Sequence, residues 1–241
     1  MLNLKPPFSL PGVNVLLMGP SGTGKTHSIG TIVDEGLEVF YLALESGFES
    51  LAGYWTDRDL PIPANLHWHK VASPEASFDA LISDATKINT LNLDSLAKLP
   101  DPNKSKHNQF IKLLEALNNF PDDRTGKTYG PVNEWDQSKV LVIDGATGLS
   151  QCALSLVAGG KAVRSQSDWG IAQGQVERIL RVLCDNCTCH FVLIAHVERE
   201  SDPILGGVKL MISTLGKALA PKIPATFSEV ILAERSGTEF N

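Results

Sequence analysis

Long apolar runs are missing from this 241-residue chain: stretches such as 13–18 and 191–195 fall far short of a membrane span. The opening residues, MLNLKPPFSL, lack a secretory h-region. Together these absences predict a soluble, cytoplasmic protein with no membrane partner. An excess of positive charge is missing too, since 21 Lys and Arg stand against 27 Asp and Glu for a net charge of −6. That excludes a global basic coat of the kind that counterion release rewards, while leaving room for a local basic strip. Cysteines number only four, and three of them (Cys184, Cys187, Cys189) stand just before His190. The cluster falls where a helix is expected to end and a buried strand to begin, so its side chains should diverge. With no second ligand pair at the usual distance, no structural metal is expected there. What the chain does have is 43% hydrophobic and 20% charged residues, enough for one large α/β domain spanning residues 1–241 and too little for a second.

Apolar periodicity orders that domain. Residues 13–18 read as a strand entering a glycine-rich turn, and 25–33 as a helix stopped by Glu35-Gly36. Residues 39–44 read as a strand covered on both faces, adjacent to the first and ending on Glu45. Residues 66–72 suggest another strand, Ser73-Pro74-Glu75 a helix start, and Phe78, Leu81 and Ile82 recur at helical spacing. The alternation then pauses. Residues 88–138 are polar and rich in Pro, Asn and Asp, and are expected to be an insertion. One amphipathic helix should break it, from about His107 to Phe120, with Phe110, Ile111, Leu113, Leu114 and Leu117 on its apolar side. The pattern resumes with a strand at 140–144, a helix-like segment to Val157, and a Gly/Ser loop at 158–167. A long helix marked by Trp169, Ile171, Val176, Ile179, Leu180 and Leu183 follows, then a strand at 191–195 ending at His196, and a last strand at 227–233. Strands alternating with helices predict a mostly parallel, doubly wound sheet flanked by helices. Its functional edge lies at the strands' C-terminal ends, where Gly19, Glu45, Asp144 and His196 all fall.

One motif on that edge is specific. Gly19-Pro20-Ser21-Gly22-Thr23-Gly24-Lys25-Thr26 fits the pattern GxxxxGK[ST], which chance places in only roughly 1 in 100 chains of this length. Its position between a strand and a helix is the context that phosphate cradling requires. Lys25 would neutralise the β and γ phosphates of a nucleotide, and the Thr26 hydroxyl would coordinate magnesium. Asp144 could support that ion or merely cap the next helix; downstream of a phosphate loop the first role is favoured. Glu45 could polarise the attacking water, and His196 could sense the γ phosphate, although a solvated Glu and a structural His are the plain alternatives.

GPSGTGKT, YLALESG, KVLVIDG and FVLIAHVERE, in that order, resemble the RecA-like P-loop ATPase core, and specifically the compact bacteriophage and prophage RecA-like ATPases that include single-strand annealing recombinases. The likeness covers most of residues 10–235 outside 88–138. It implies ATP and magnesium as cofactors, Glu45 as the water-activating residue, and His196 as the coupler of nucleotide state to DNA. The family more often carries Gln or Asn at the position of His196. The resemblance also implies two DNA-binding loops, one at 159–165 with Lys161 and Arg164, the other at 198–215 with Lys209. Both loops lack aromatic residues for base stacking. It implies as well a homo-oligomer, ring or filament, in which a cation from one subunit reaches its neighbour's γ phosphate; with no arginine between Arg199 and Arg235 a lysine must serve, and Lys217 and Lys222, which flank a Pro-containing turn before the last strand, are the preferred pair. Single-stranded DNA is the expected partner, together with a single-strand-binding or other recombination protein. Two alternatives stay open. One is an ATP-driven loader or partner-remodelling ATPase that uses residues 88–138. The other is a small-molecule P-loop kinase, against which the chain offers no arginine-rich lid. No Asn-Lys-x-Asp motif for reading guanine is present.

Overall fold

The computed structural model describes residues 11–72, 77–99, 104–201, 206–214, 216, 218–237 and 239–240. In chain order the elements are β1 (Asn14–Gly19), α1 (Lys25–Asp34), β2 (Glu38–Ala43), α2 (Phe48–Thr56), β3 (Leu66–Lys70), α3 (Phe78–Thr90), α4 (Leu93–Ala97), α5 (Gln109–Asn118), β4 (Lys139–Asp144), α6 (Ala146–Ala158), α7 (Gln166–Asn186), β5 (His190–Ser201), β6 (Val208–Ile212) and β7 (Glu229–Leu232). A short hairpin, β8 (Arg235–Ser236) with β9 (Glu239–Phe240), follows. The main sheet has the order β3-β2-β4-β5-β1-β7, with all these neighbours parallel, and β6 joins β5 antiparallel. The expected α/β architecture, a mostly parallel sheet flanked by helices, is the one adopted.

Alternation along each strand divides the interior in two. On one face Leu16, Phe40, Leu42, Leu141, Ile143, Phe191 and Leu193 pack with residues of α5, α6 and α7. On the other, Leu17, Val39, Tyr41, Val140, Val142 and Ile194 pack with residues of α1 and α2. Both faces are covered, so β2, β4 and residues 191–195 of β5 are apolar at nearly every position rather than at every second one.

Several expectations need correction. The strand ending at Glu45 is not beside β1. β4 and β5 stand between them. β5 does not stop at His196; it runs on to Ser201 and pairs with β6. The supposed loop at 198–215 is therefore largely a hairpin, with Gly206 and Gly207 in the left-handed region at φ 71° and 100°. The helix start at Ser73-Pro74-Glu75 falls on positions 73–76, outside the described residues, and the cap that α3 does have is Ser77, whose Oγ accepts from the Ala80 N–H at 3.1 Å. Phe78, Leu81 and Ile82 are exposed, and α3 buries no residue. In α5 the buried face is Gln109, Phe110, Leu113 and Ala116, while Ile111 and Leu114 face out. Within residues 88–138, Phe110, Leu113, Phe120, Val132 and Trp135 belong to the main core. The thiols of Cys187 and Cys189 turn to different carbonyls, Cys187 Sγ donating to Val182 at 3.6 Å and Cys189 Sγ to Val132 at 3.9 Å. His190 is turned elsewhere, its Nδ1 accepting from the Val13 N–H at 3.0 Å. Among the described residues no helix is long and apolar enough to cross a membrane, and no three metal-ligating side chains cluster.

Candidate functional site

β1 delivers the chain into 19–26. Gly22 and Gly24 hold left-handed φ values of 75° and 82°, conformations that side chains resist. Gly19 is required for another reason: a Cβ there would lie 2.3 Å from the carbonyl oxygen of Ala233, just past β7. Thr23 Oγ1 donates to the Pro20 carbonyl at 2.9 Å and fastens the turn. Lys25 opens α1, is 5% exposed, and donates from Nζ to the carbonyls of Gly19 at 2.9 Å and Pro20 at 2.7 Å. Burial holds its ammonium below the usual lysine range, with the carboxylates of Asp144 and Glu45 pulling the other way.

Asp144 ends β4 and is 7% exposed. Its Oδ2 accepts from Thr26 Oγ1 at 2.8 Å and from the Tyr41 hydroxyl at 2.6 Å. A Cβ on Gly47, the residue capping α2, would lie 3.4 Å from that oxygen, 3.6 Å from the Tyr41 hydroxyl and 4.0 Å from Thr26 Oγ1. Side chains from β4, α1 and β2 and the start of α2 therefore meet at one carboxylate oxygen. A hydroxyl and a carboxylate make a hard oxygen donor set, which fits magnesium and leaves its other positions to water and phosphate. Sequence reading missed Tyr41. The available signal was a phenol in an otherwise apolar buried strand, since a buried hydroxyl needs a partner. Burial, and then the charge of Asp144, push the phenol's pKa up, so it stays a donor.

Glu45 follows β2 and its Oε1 accepts from the backbone N–H of Gly148, in the first turn of α6. That turn holds no acidic residue of its own, so Glu45 supplies the cap from outside. Gly148 makes the approach possible, since a Cβ there would stand 3.0 Å from Glu45 Cγ.

His196 is half-buried and lies opposite Gly19 in the β1–β5 ladder. Its carbonyl accepts from the Ser213 N–H at 2.8 Å, and Thr147 Oγ1 donates to the Ser213 carbonyl at 2.8 Å. Ser213 Oγ also donates to Glu198 Oε1 at 2.7 Å. The turn of α6 that Glu45 caps is thus tied to the β5–β6 hairpin.

The remaining candidates do not join this cluster. Lys161 pairs with Asp168 at 3.2 Å. It and the exposed Arg164 lie beyond the far end of α6, about 20 Å of helix from Asp144. Hydrogen bonds from Ser165, then Lys161, hold the Asp168 carboxyl below its usual range. Lys209 is exposed on β6, opposite Glu200. Lys222 is bound within its own chain, 2.7 Å from Glu177 Oε1 on α7. Lys217 lies outside the described residues.

A phosphate-loop strand and helix, joined through Thr26 to an Asp at the end of a central parallel strand, define a P-loop nucleoside triphosphatase. The chain belongs to the AAA domain family, whose model matches residues 12–240, and is an AAA-type P-loop ATPase domain. No curated protein matches it. Among solved structures it is similar to an ATPase described as prototypical of the type III secretion system of pathogenic bacteria, at 13% identity and a TM-score of 0.44. The match covers 93% of this chain and 53% of that one, so the chain spans about half that protein's length.

Proposed function

We propose that this chain binds ATP with magnesium, hydrolyses it, and uses the cycle as a homo-oligomer acting on single-stranded DNA in recombination or strand annealing. Residues 1–241 act in this reading as one RecA-like unit, with 88–138 as its insertion. The observation that carries the nucleotide part is the Thr26–Asp144 hydrogen bond beside the left-handed glycines and the buried Lys25. Lys25 exchanges the carbonyls of Gly19 and Pro20 for oxygens of the β and γ phosphates, recovering in charge pairing what burial costs it. Thr26, its hydrogen still donated to Asp144, would offer its oxygen to the cation. Magnesium, when bound, neutralises charge that builds on the phosphates. Glu45 keeps Oε1 on Gly148 and orients the attacking water with its other oxygen. The water oxygen bonds to the γ phosphorus as the bond to the bridging oxygen of ADP breaks, and the proton passes to Glu45. His196 and Ser213 carry the change to the hairpin that bears Arg199 and Lys209.

The support for single-stranded DNA is this tie between the Glu45-capped turn and the hairpin, together with the resemblance noted above. The test is the ATPase rate with and without single-stranded DNA. Stimulation supports the reading; indifference to DNA refutes that part of it, and turnover that requires a phosphate acceptor makes the protein a kinase. A second reading, a loader that remodels a protein partner, is favoured by the exposed apolar residues of α3 and α4, among them Phe78 at 84% and Leu93 at 68% exposure. Stimulation by a protein partner and not by DNA would select it.

A further inference from the structure

We infer that Tyr41 is a positioning residue that holds the carboxylate of Asp144 in the orientation the cation needs. The inference rests on the magnesium-nucleotide reading above. Thr26 and Tyr41 both donate to Oδ2, but from different bodies. Thr26 belongs to α1, directly behind the phosphate loop, and moves with whatever that loop binds. Tyr41 is fully buried in β2, a strand laddered on both sides by β3 and β4. Its ring is 5.8 Å from that of Phe48, which in turn stands 4.6 Å from Trp68, so the phenol is walled on that side by aromatic rings.

The short bond from phenol to carboxylate is charge-assisted and directional. It anchors Oδ2 from the sheet and sets the carboxylate's rotation whether or not nucleotide is bound. When the cation draws on the oxygen of Thr26, the bond from Tyr41 stays in place, though its acceptor feels the ion's charge. Preorganisation of this kind, by a residue that touches a ligand and not the ion, is how outer contacts raise metal affinity. A phenol buried only to satisfy its own hydroxyl would leave ion affinity unchanged when removed, which separates the two roles.

The test uses the full chain with ADP and magnesium as probes. Tyr41→Phe keeps the ring and deletes one oxygen, and its melting curve checks that it is folded. In EDTA its ADP affinity should equal wild type. With ADP bound, its apparent magnesium affinity should fall about 10-fold or more, the usual worth of a hydrogen bond to a charged group. In an Asp144→Ala background, which leaves the phenol no side-chain oxygen to hold, the same substitution should have no further effect on magnesium affinity. Unchanged magnesium affinity, or an effect that persists without the Asp144 carboxylate, overturns the inference and leaves the nucleotide reading standing. A wild-type chain whose ADP affinity ignores magnesium overturns both. A measurement that keeps the hydroxyl of Tyr41 uses fluorotyrosine labelling, because the chain has only three tyrosines and replacing Tyr54 and Tyr129 with Phe leaves one signal. Magnesium added to the ADP complex should shift that resonance, and a resonance that does not move overturns the inference.

Discussion

Substituting Glu45 separates its two tasks, because glutamine and alanine remove different things. Glu45→Gln keeps a side-chain oxygen of the same reach, so the bond from Gly148 and the cap on α6 persist. It removes the carboxylate's charge and basicity. Turnover should therefore fall about 10²- to 10⁴-fold, the usual worth of a positioned general base, while nucleotide affinity is retained. Glu45→Ala removes both, and losing an N-terminal cap costs about 1 kcal/mol. In a chain of this size that is a drop of roughly 2–4 °C in melting temperature. The assays are phosphate release under saturating ATP, binding of a fluorescent nucleotide, and thermal melting of all three proteins. If glutamine leaves turnover at the wild-type level, Glu45 is a helix cap and nothing more, and the water is activated elsewhere. If glutamine lowers the melting temperature as much as alanine, the cap needs the charge and the separation argued here is wrong.

Three further outcomes are expected. Because burial lowers the Lys25 pKa, the unfolded chain binds that proton more tightly, so stability relative to Lys25→Met should rise with pH above neutrality toward 10.5. Urea melts at two pH values check this, and a flat difference refutes it; bound nucleotide should weaken the slope. Gly19→Ala should cost about 1–3 kcal/mol in urea melts, because its methyl meets the backbone oxygen of Ala233 and not a movable side chain. A neutral substitution would mean that β1 and the end of β7 are not in contact. Replacing Lys217 and Lys222 together with alanine should leave nucleotide binding intact, because an exposed pair such as Lys222–Glu177 contributes little. It should remove only the turnover that rises with protein concentration, and mixing with Glu45→Gln subunits should restore part of it; no recovery at any ratio counts against a shared site.

How much was legible depended on range. Each buried strand announced itself locally, by an apolar run bounded by turn residues, and the phosphate loop by its spacing. Strand order was not local. Nothing in residues 39–44 says that two other strands will separate them from β1, since β2 and β4 carry the same buried pattern and only pairing across the sheet tells them apart. The pairing of β5 with β6 has a sequence signal, strand-like residues on both sides of 202–207, but the resemblance implied a loop there. The role of Tyr41 needed its partner, 103 positions away. The short helix α2, which brings Gly47 to the site, offers only nine residues of pattern and went unread.

The central claim is that the loop at 19–26 and Asp144 form one magnesium-nucleotide site. Its most direct test is phosphate release from ATP by wild type, Lys25→Ala and Asp144→Asn, each with magnesium and with EDTA. The account predicts release by wild type only with magnesium, none by folded Lys25→Ala, and a reduced, magnesium-hungry rate for Asp144→Asn. Wild-type release in EDTA, or undiminished release by folded Lys25→Ala, would contradict it.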